Sequence, residues 1–173
     1  MKSRTILGID PGYGITGFGV ISASGSQLKP IDYGVIRTHA GEEFCLRIKD
    51  LHKKLKKIIK KYQPYLIAIE DLFFYKNVTT AIKVGQARGV IILTAVQANL
   101  PIVEFTPLQV KQAISGYGKA DKAQVQRMVK IILGLKKIPR PDDAADALAI
   151  AICAANSRPI LSLQGGESDC SIS

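Results

Sequence analysis

The chemistry of this chain is concentrated in its carboxylates. Asp10 ends a short apolar run, Thr5-Ile6-Leu7-Gly8-Ile9, and Glu70 ends another, Tyr65-Leu66-Ile67-Ala68-Ile69. A third group, Asp142, Asp143 and Asp146, opens an alanine-rich stretch. An ionised carboxylate at the end of a buried strand is costly unless a cation, hydrogen-bond donors or water meet it. Asp10 also suits an Asp-Pro turn, since Pro11 and Gly12 follow it. On a helix Asp143 and Asp146 share a face, and so do Asp142 and Asp146; spacing does not choose between the pairs. Asp142 fits an N-cap and Asp143 a partner for the helix dipole. Asp146, set among Ala144, Ala145, Ala147 and Ala149, has no such ordinary role. Gathered together, these acids would be hard oxygen donors with no histidine or cysteine nearby, which suits Mg2+ or Mn2+ rather than zinc. Two such ions, about 4 Å apart, can activate a water and stabilise the leaving 3′ oxygen of a phosphodiester.

Periodicity gives the elements that must gather them. The run ending at Asp10 is β-branched and unbroken by polar residues, as in a central strand covered on both faces. Residues 16–21 form a second strand and 31–37 a third, an antiparallel meander. Phe44, Ile48, Leu51, Leu55, Ile58, Ile59 and Tyr62 then recur at helical spacing, while Lys49, Lys53, Lys54, Lys56, Lys57, Lys60 and Lys61 fill most of the rest. That lysine run is read as a solvated helix face in preference to a phosphate contact. Pro64 ends the helix, and residues 65–69 form a fourth strand closed by Glu70. If the strands of Asp10 and Glu70 are parallel neighbours, both carboxylates reach the carboxyl edge of the sheet, where open α/β sheets hold ligands. Alternation sends Asp71 to the opposite face, as a solvated loop residue.

Phe73, Phe74 and Tyr75 follow without a pattern that would bury all three, and Lys76 stands beside them. Exposed rings next to a cation suit base stacking, with at least one ring folded back on the core. A helix over 77–99, capped by Asn77 or Thr79, is apolar on more than one face. Gly85 and Gly89, four apart, would let another backbone approach, so a homodimer is expected. A short fifth strand over 102–105 leads to Pro107, which starts a helix carrying Lys111. After a loop with Gly116 and Gly118 comes a helix with Val125, Met128, Val129, Ile132 and Leu133 on its apolar face. Lys119 and Lys122 flank that loop-to-helix junction, where free backbone N–H groups favour phosphate.

The chain has 173 residues, 47% of them hydrophobic, enough for one substantial core but not for two duplicated ATPase halves. That length counts against an actin-like or sugar-kinase ATPase, whose phosphate-binding hairpin Ile9-Asp10-Pro11-Gly12 resembles; an ATP-binding phosphotransferase built on that hairpin stays as an alternative. Gly12-Tyr13-Gly14-Ile15-Thr16-Gly17 meets the dinucleotide-binding spacing, with Asp32 beyond it, but opens a β-like segment where that motif must open a helix. The formal net charge of +10 favours a polyanionic partner, nucleic acid first. No apolar run approaches the roughly 20 residues of a spanning helix, and the amino-terminal run is broken too early for a signal peptide, so a cytoplasmic protein is expected. Cys45, Cys153 and Cys170 show no CxxC spacing and read as reduced thiols. Residues 1–157 are expected to form one domain and 158–173 a flexible tail.

Several segments together resemble the RuvC-type Holliday junction resolvases over nearly the whole chain to about Asn156. They are Gly8-Ile9-Asp10-Pro11-Gly12; Glu70 with Phe73; Lys76-Asn77; Gly85-Gln86-Ala87-Arg88-Gly89; Gln109-Val110-Lys111; and Asp143-Ala144-Ala145-Asp146-Ala147-Leu148-Ala149. The resemblance implies an α/β, ribonuclease H-like fold with a mixed five-stranded sheet flanked by helices. It implies a homodimer that nicks opposed strands of a four-way DNA junction symmetrically, with two Mg2+ ions per site and Mn2+ as a substitute. It implies that Asp10, Glu70, Asp143 and Asp146 are the catalytic, metal-holding carboxylates, which decides against Asp142. Phe73 would stack on a base, and Lys111 and Lys122 would lie near the scissile phosphate, with Lys76 and Lys119 as further DNA contacts. The helix of Gly85 and Gly89 would form the dimer interface. A branch-migration complex of the RuvA–RuvB kind is the implied partner.

Overall fold

The computed structural model describes residues 3–71 and 78–157. Five strands form one mixed sheet in the order β3-β2-β1-β4-β5: β1 (Arg4–Asp10), β2 (Ile15–Ser24), β3 (Gln27–Arg37), β4 (Leu66–Glu70) and β5 (Ile102–Phe105). β1, β2 and β3 form the expected antiparallel meander, and β4 and β5 continue the sheet parallel to β1. β3 begins four residues earlier than the sequence suggests. Pro30 hides the extension, because proline reads as a strand breaker; β3 is an edge strand with an irregularity opposite Val20 and Ile21, where a missing N–H is tolerated.

Helices cover both faces. On one lie α1 (Phe44–Tyr62) and α2 (Val78–Gln97). Leu51 and Leu55 of α1 and Ile91 of α2 pack there against Leu7 and Ile9 of β1 and Ile67 and Ile69 of β4, all fully buried. On the other face α3 (Pro107–Ser115), α4 (Lys122–Ile132) and α5 (Asp142–Asn156) enclose Ile6, Leu66 and Ala68. Each fully buried Leu or Ile contributes about 1.5–3 kcal/mol, so the two layers together fix which way β1 and β4 turn their side chains. Isoleucines 9 and 69 point to α1 and α2. Asp10 and Glu70, one step later on each strand, therefore belong to the α5 face.

α5 approaches the sheet at backbone distance. A Cβ at Gly8 would lie 2.1 Å from the Ala147 carbonyl oxygen, one at Gly17 2.0 Å from the Asp143 oxygen, and one at Gly19 2.7 Å from the Leu148 nitrogen. Gly8 pairs with Gly19 across β1 and β2, and Asp10 pairs with Gly17. The bare patch thus receives the helix and sets its first turn beside Asp10. Its alanines complete the fit: Ala144, Ala147 and Ala151 are fully buried.

Candidate active site

Asp10 and Glu70 stand side by side because β1 and β4 are in parallel register, Ile9 opposite Ile69. Two local devices hold the ends of these strands. After Asp10 the Thr16 hydroxyl donates to the Gly12 carbonyl at 2.5 Å, and the Tyr13 carbonyl accepts from Thr38 at 2.7 Å and from Arg47 at 3.3 Å. After Glu70 the Asp71 N–H donates to the Phe105 carbonyl. Asp71 takes the opposite face, as alternation requires, but is not simply a solvated loop residue. Arg88 of α2 lies 3.5 Å from it and 2.7 Å from Glu104, tying β4, β5 and α2 together. That cluster joins residues far apart in sequence, and no spacing signals it.

α5 brings the remaining acids. Pro141 precedes the helix without a side-chain cap, so Asp142 is its first residue and not the N-cap. Asp142 turns away to Arg140 and to Lys122, 3.6 Å away. Slight burial works against its charge, but a hydrogen bond from the buried Gln126 and the Lys122 and Arg140 cations hold its carboxyl below the ordinary value. Asp143 sits over Gly17, and Asp146, one turn on, faces Glu70 across a cavity of about 210 Å³ that Lys111 and Lys122 also line.

The charges are coupled. Burial, then Glu70, Asp146 and Asp143, push the Asp10 carboxyl up to about 8 against the opposing pull of Lys122. Burial and Asp146 push Glu70 up to about 7, against Lys111 and Lys122. Asp146 is also raised, by burial first and then by Asp143 and Asp142, although Lys122 opposes this. Lys122, 3.1 Å from Asp146, is partly desolvated, yet the bond to Asp146 and the charges of Asp146, Asp142 and Asp10 keep its ammonium above the ordinary value. Four carboxylates therefore share one edge with two lysines. As they lie, no three acidic, histidine or cysteine side chains among the described residues are already drawn together as a metal cage. The donor chemistry fits a divalent ion nonetheless: every donor is a hard oxygen, and the excess negative charge raises the protonation of Asp10 and Glu70.

The remaining candidates fall out unequally. Lys111 is on α3, begun as expected by Pro107 behind a Thr106 capping box. Lys119 is exposed in the loop and forms no ion pair among the described residues. At the helix start beside Lys122 a capping box takes up two backbone N–H groups: the Asp121 carboxylate accepts from the Gln124 N–H at 2.7 Å, and the Gln124 side chain accepts from the Asp121 N–H. That Asp-x-x-Gln signal was legible in the sequence. Phe73 and Lys76 lie outside the described residues, as does Asn77. Thr79, the other expected cap, is inside α2. Gly89 is exposed with open space above it, and Gly85 is half-buried.

The family model of crossover junction endodeoxyribonuclease RuvC matches residues 6–154. The chain belongs to the RuvC family. A crossover junction endodeoxyribonuclease RuvC from Desulfitobacterium hafniense is 55% identical over 161 residues, covering 93% of this chain and 98% of that one. A RuvC from Caldicellulosiruptor saccharolyticus is 58% identical over 149 residues, 86% and 90% of the two chains. Among solved structures, Thermus thermophilus RuvC in complex with a Holliday junction substrate superposes with a TM-score of 0.84 at 37% identity, covering 88% of this chain and 93% of that one. The ribonuclease H-like α/β fold expected from the RuvC resemblance is the fold observed. Among the described residues no helix is long and apolar enough to cross a membrane.

Proposed function

We propose that this RuvC chain resolves four-way DNA junctions by hydrolysing one phosphodiester in each of two opposed strands. The observation that carries the reading is the meeting of Asp10 and Glu70, from parallel neighbouring strands, with the first turns of α5 at one sheet edge. Asp10, Glu70, Asp143 and Asp146 would hold two Mg2+ ions, or Mn2+ in their place. When bound, such ions lower the pKa of an attacking water and stabilise the leaving 3′ oxygen. In the reaction water adds to phosphorus, the P–O3′ bond breaks, and the 3′ oxygen takes up a proton. Asp10, buried and flanked by the other three acids, is the centre of the donor set. Lys122 offsets the charge of Asp146 at 3.1 Å and would also neutralise phosphate charge in the cavity that both line. Lys111, on the far wall of the same cavity, faces the phosphate from α3. Lys119 would add a further DNA contact, as would Lys76 and a base-stacking Phe73, both outside the described residues.

Two active sites are needed for paired nicks, and the second face of α2 supports a homodimer. Ile82, Leu93 and Val96 are exposed there at 58%, 52% and 57%, beside the open Gly89 and near Gly85. Residues 1–157 would be the nuclease domain; the expected tail, 158–173, lies outside the described residues. A cytoplasmic location and cooperation with a RuvA–RuvB branch-migration complex complete the reading. The test is cleavage of a mobile four-way junction with Mg2+ or with EDTA, beside a duplex, a flap and an RNA–DNA hybrid. Symmetric nicks in the junction alone, lost in EDTA, are expected. Cleavage of the hybrid without the junction overturns the assignment.

A further inference from the structure

α1 carries eight basic side chains against one acid, so this single helix holds seven of the chain's formal +10. Its cations divide into two sets. Lys54 is bound to Asp50 at 2.7 Å and donates to the Arg37 carbonyl; Lys61 lies 3.6 Å from Asp32 and over the Tyr62 ring; Arg47 is turned to Thr38 and the Tyr13 carbonyl. Lys49, Lys53, Lys56, Lys57 and Lys60 are exposed and form no ion pair among the described residues. Steps of four, three and four put Lys49, Lys53, Lys56 and Lys60 on one stripe, with Lys57 alongside. Like charges at these spacings weaken a helix, and a polyanion laid along them relieves the repulsion.

The stripe also has a direction. β3 runs parallel to β1, so Arg37 ends at the same sheet edge as Asp10, and α1 starts from that edge and runs away from it. Arg47 fastens the first turns of α1 to the turn that follows Asp10. A groove of about 850 Å³ between residues 37–42 and α1 takes in Lys49 and Lys53. From Lys49 to Lys60 the helix rises about 16 Å, the length of about five base-pair steps.

We propose that this stripe is a second DNA contact, along which the phosphate backbone of a duplex arm runs outward from the catalytic edge. It rests on the junction reading above for the identity of the arm. The exposure of Lys49, Lys53, Lys56, Lys57 and Lys60 agrees with the solvated helix face expected from the sequence, and the proposal gives that face a partner.

The test compares two variants of equal net charge. One is Lys53→Gln, Lys56→Gln, Lys60→Gln; the control is Lys29→Gln, Lys136→Gln, Lys137→Gln, three exposed lysines off the stripe. Binding of a four-way junction with long arms is titrated against salt, in Ca2+ or EDTA so that no strand is cut. Every phosphate left without its lysine lowers the slope of log K against log salt by about 0.9, so the stripe variant is expected to fall by about two to three units. The control should keep the full slope. A stripe variant that keeps the wild-type slope overturns the proposal, and so does an equal fall in the control. If the wild type binds with the full slope but cuts nothing in Mg2+, the nuclease reading fails and the stripe stands.

Discussion

α5 and α1 lie on opposite faces of one sheet and are held by opposite means. α5 meets glycines with alanines, backbone against backbone, and buries ten of its fifteen residues. α1 meets the sheet with Leu51, Leu55 and Ile59, whose long side chains keep its axis away, and gives the rest of its surface to lysine. The first arrangement transmits the position of the sheet to two carboxylates with almost no slack. The second provides adhesion and a charged surface but little accuracy. A site that must gather several acids needs the first; a surface that tracks a polymer is served by the second.

The sharpest break in this comparison is at Asp146. Asp146→Asn should lower junction cleavage by more than about a hundredfold, more than the loss of an outer-shell partner, with junction binding retained in a gel-shift assay. Normal cleavage would mean that the site lies elsewhere. On the α1 side, Leu55→Ala should lower unfolding free energy by about 2–5 kcal/mol in urea titration while the folded fraction cuts at nearly the wild-type rate. On the α5 side, Gly17→Ala should cost about 1–3 kcal/mol but impair cleavage well beyond its effect on stability, because the helix must shift. If both variants lose activity only in proportion to folded protein, the two faces do not differ in accuracy.

Titration sharpens the same contrast. The native carboxyls of Asp10 and Glu70 are raised from 3.8 and 4.5 to about 8 and about 7. The native state therefore holds more protons than the unfolded chain between these limits, and metal-free stability should fall as pH rises through that window. The melting temperature in EDTA should drop from pH 5 to pH 8, Mg2+ should restore more of it at pH 8, and Asp10→Asn should flatten the curve. A metal-free melting temperature that climbs over this range would contradict the coupling. The smallest effect belongs to α1: removing the exposed Lys54–Asp50 pair by Lys54→Ala should change stability by no more than about 0.5 kcal/mol.

The sequence made some of this legible and not the rest, for physical reasons. Asp10 and Glu70 could be paired because a carboxylate closing an apolar strand is locally conspicuous, and period two fixes its face. The choice among Asp142, Asp143 and Asp146 could not be made from spacing. It depends on how α5 is rotated over the sheet, which Gly8, Gly17 and Gly19 decide from a distant part of the chain. Of those glycines, Gly17 stood out only within a misleading cofactor-like spacing, and Gly8 only within a segment that resembles RuvC. The role of Arg88 was hidden for the same reason, since Asp71, just past β4, and Glu104 of β5 reach it from distant parts of the chain. The length of β3 was hidden by a local signal, Pro30, that the edge position overrode.

That same edge has a bearing on how copies of the molecule meet. Pro30 offers no N–H, and the pairing with β2 slips beside it, so the outer side of β3 cannot template a straight new strand. At the far end β5 has only four residues to offer. Neither margin invites a neighbour to extend the sheet, which guards a concentrated solution of this protein against open-ended fibrous stacking. The homodimer proposed through α2 would instead be a contact between helices, which closes after two copies.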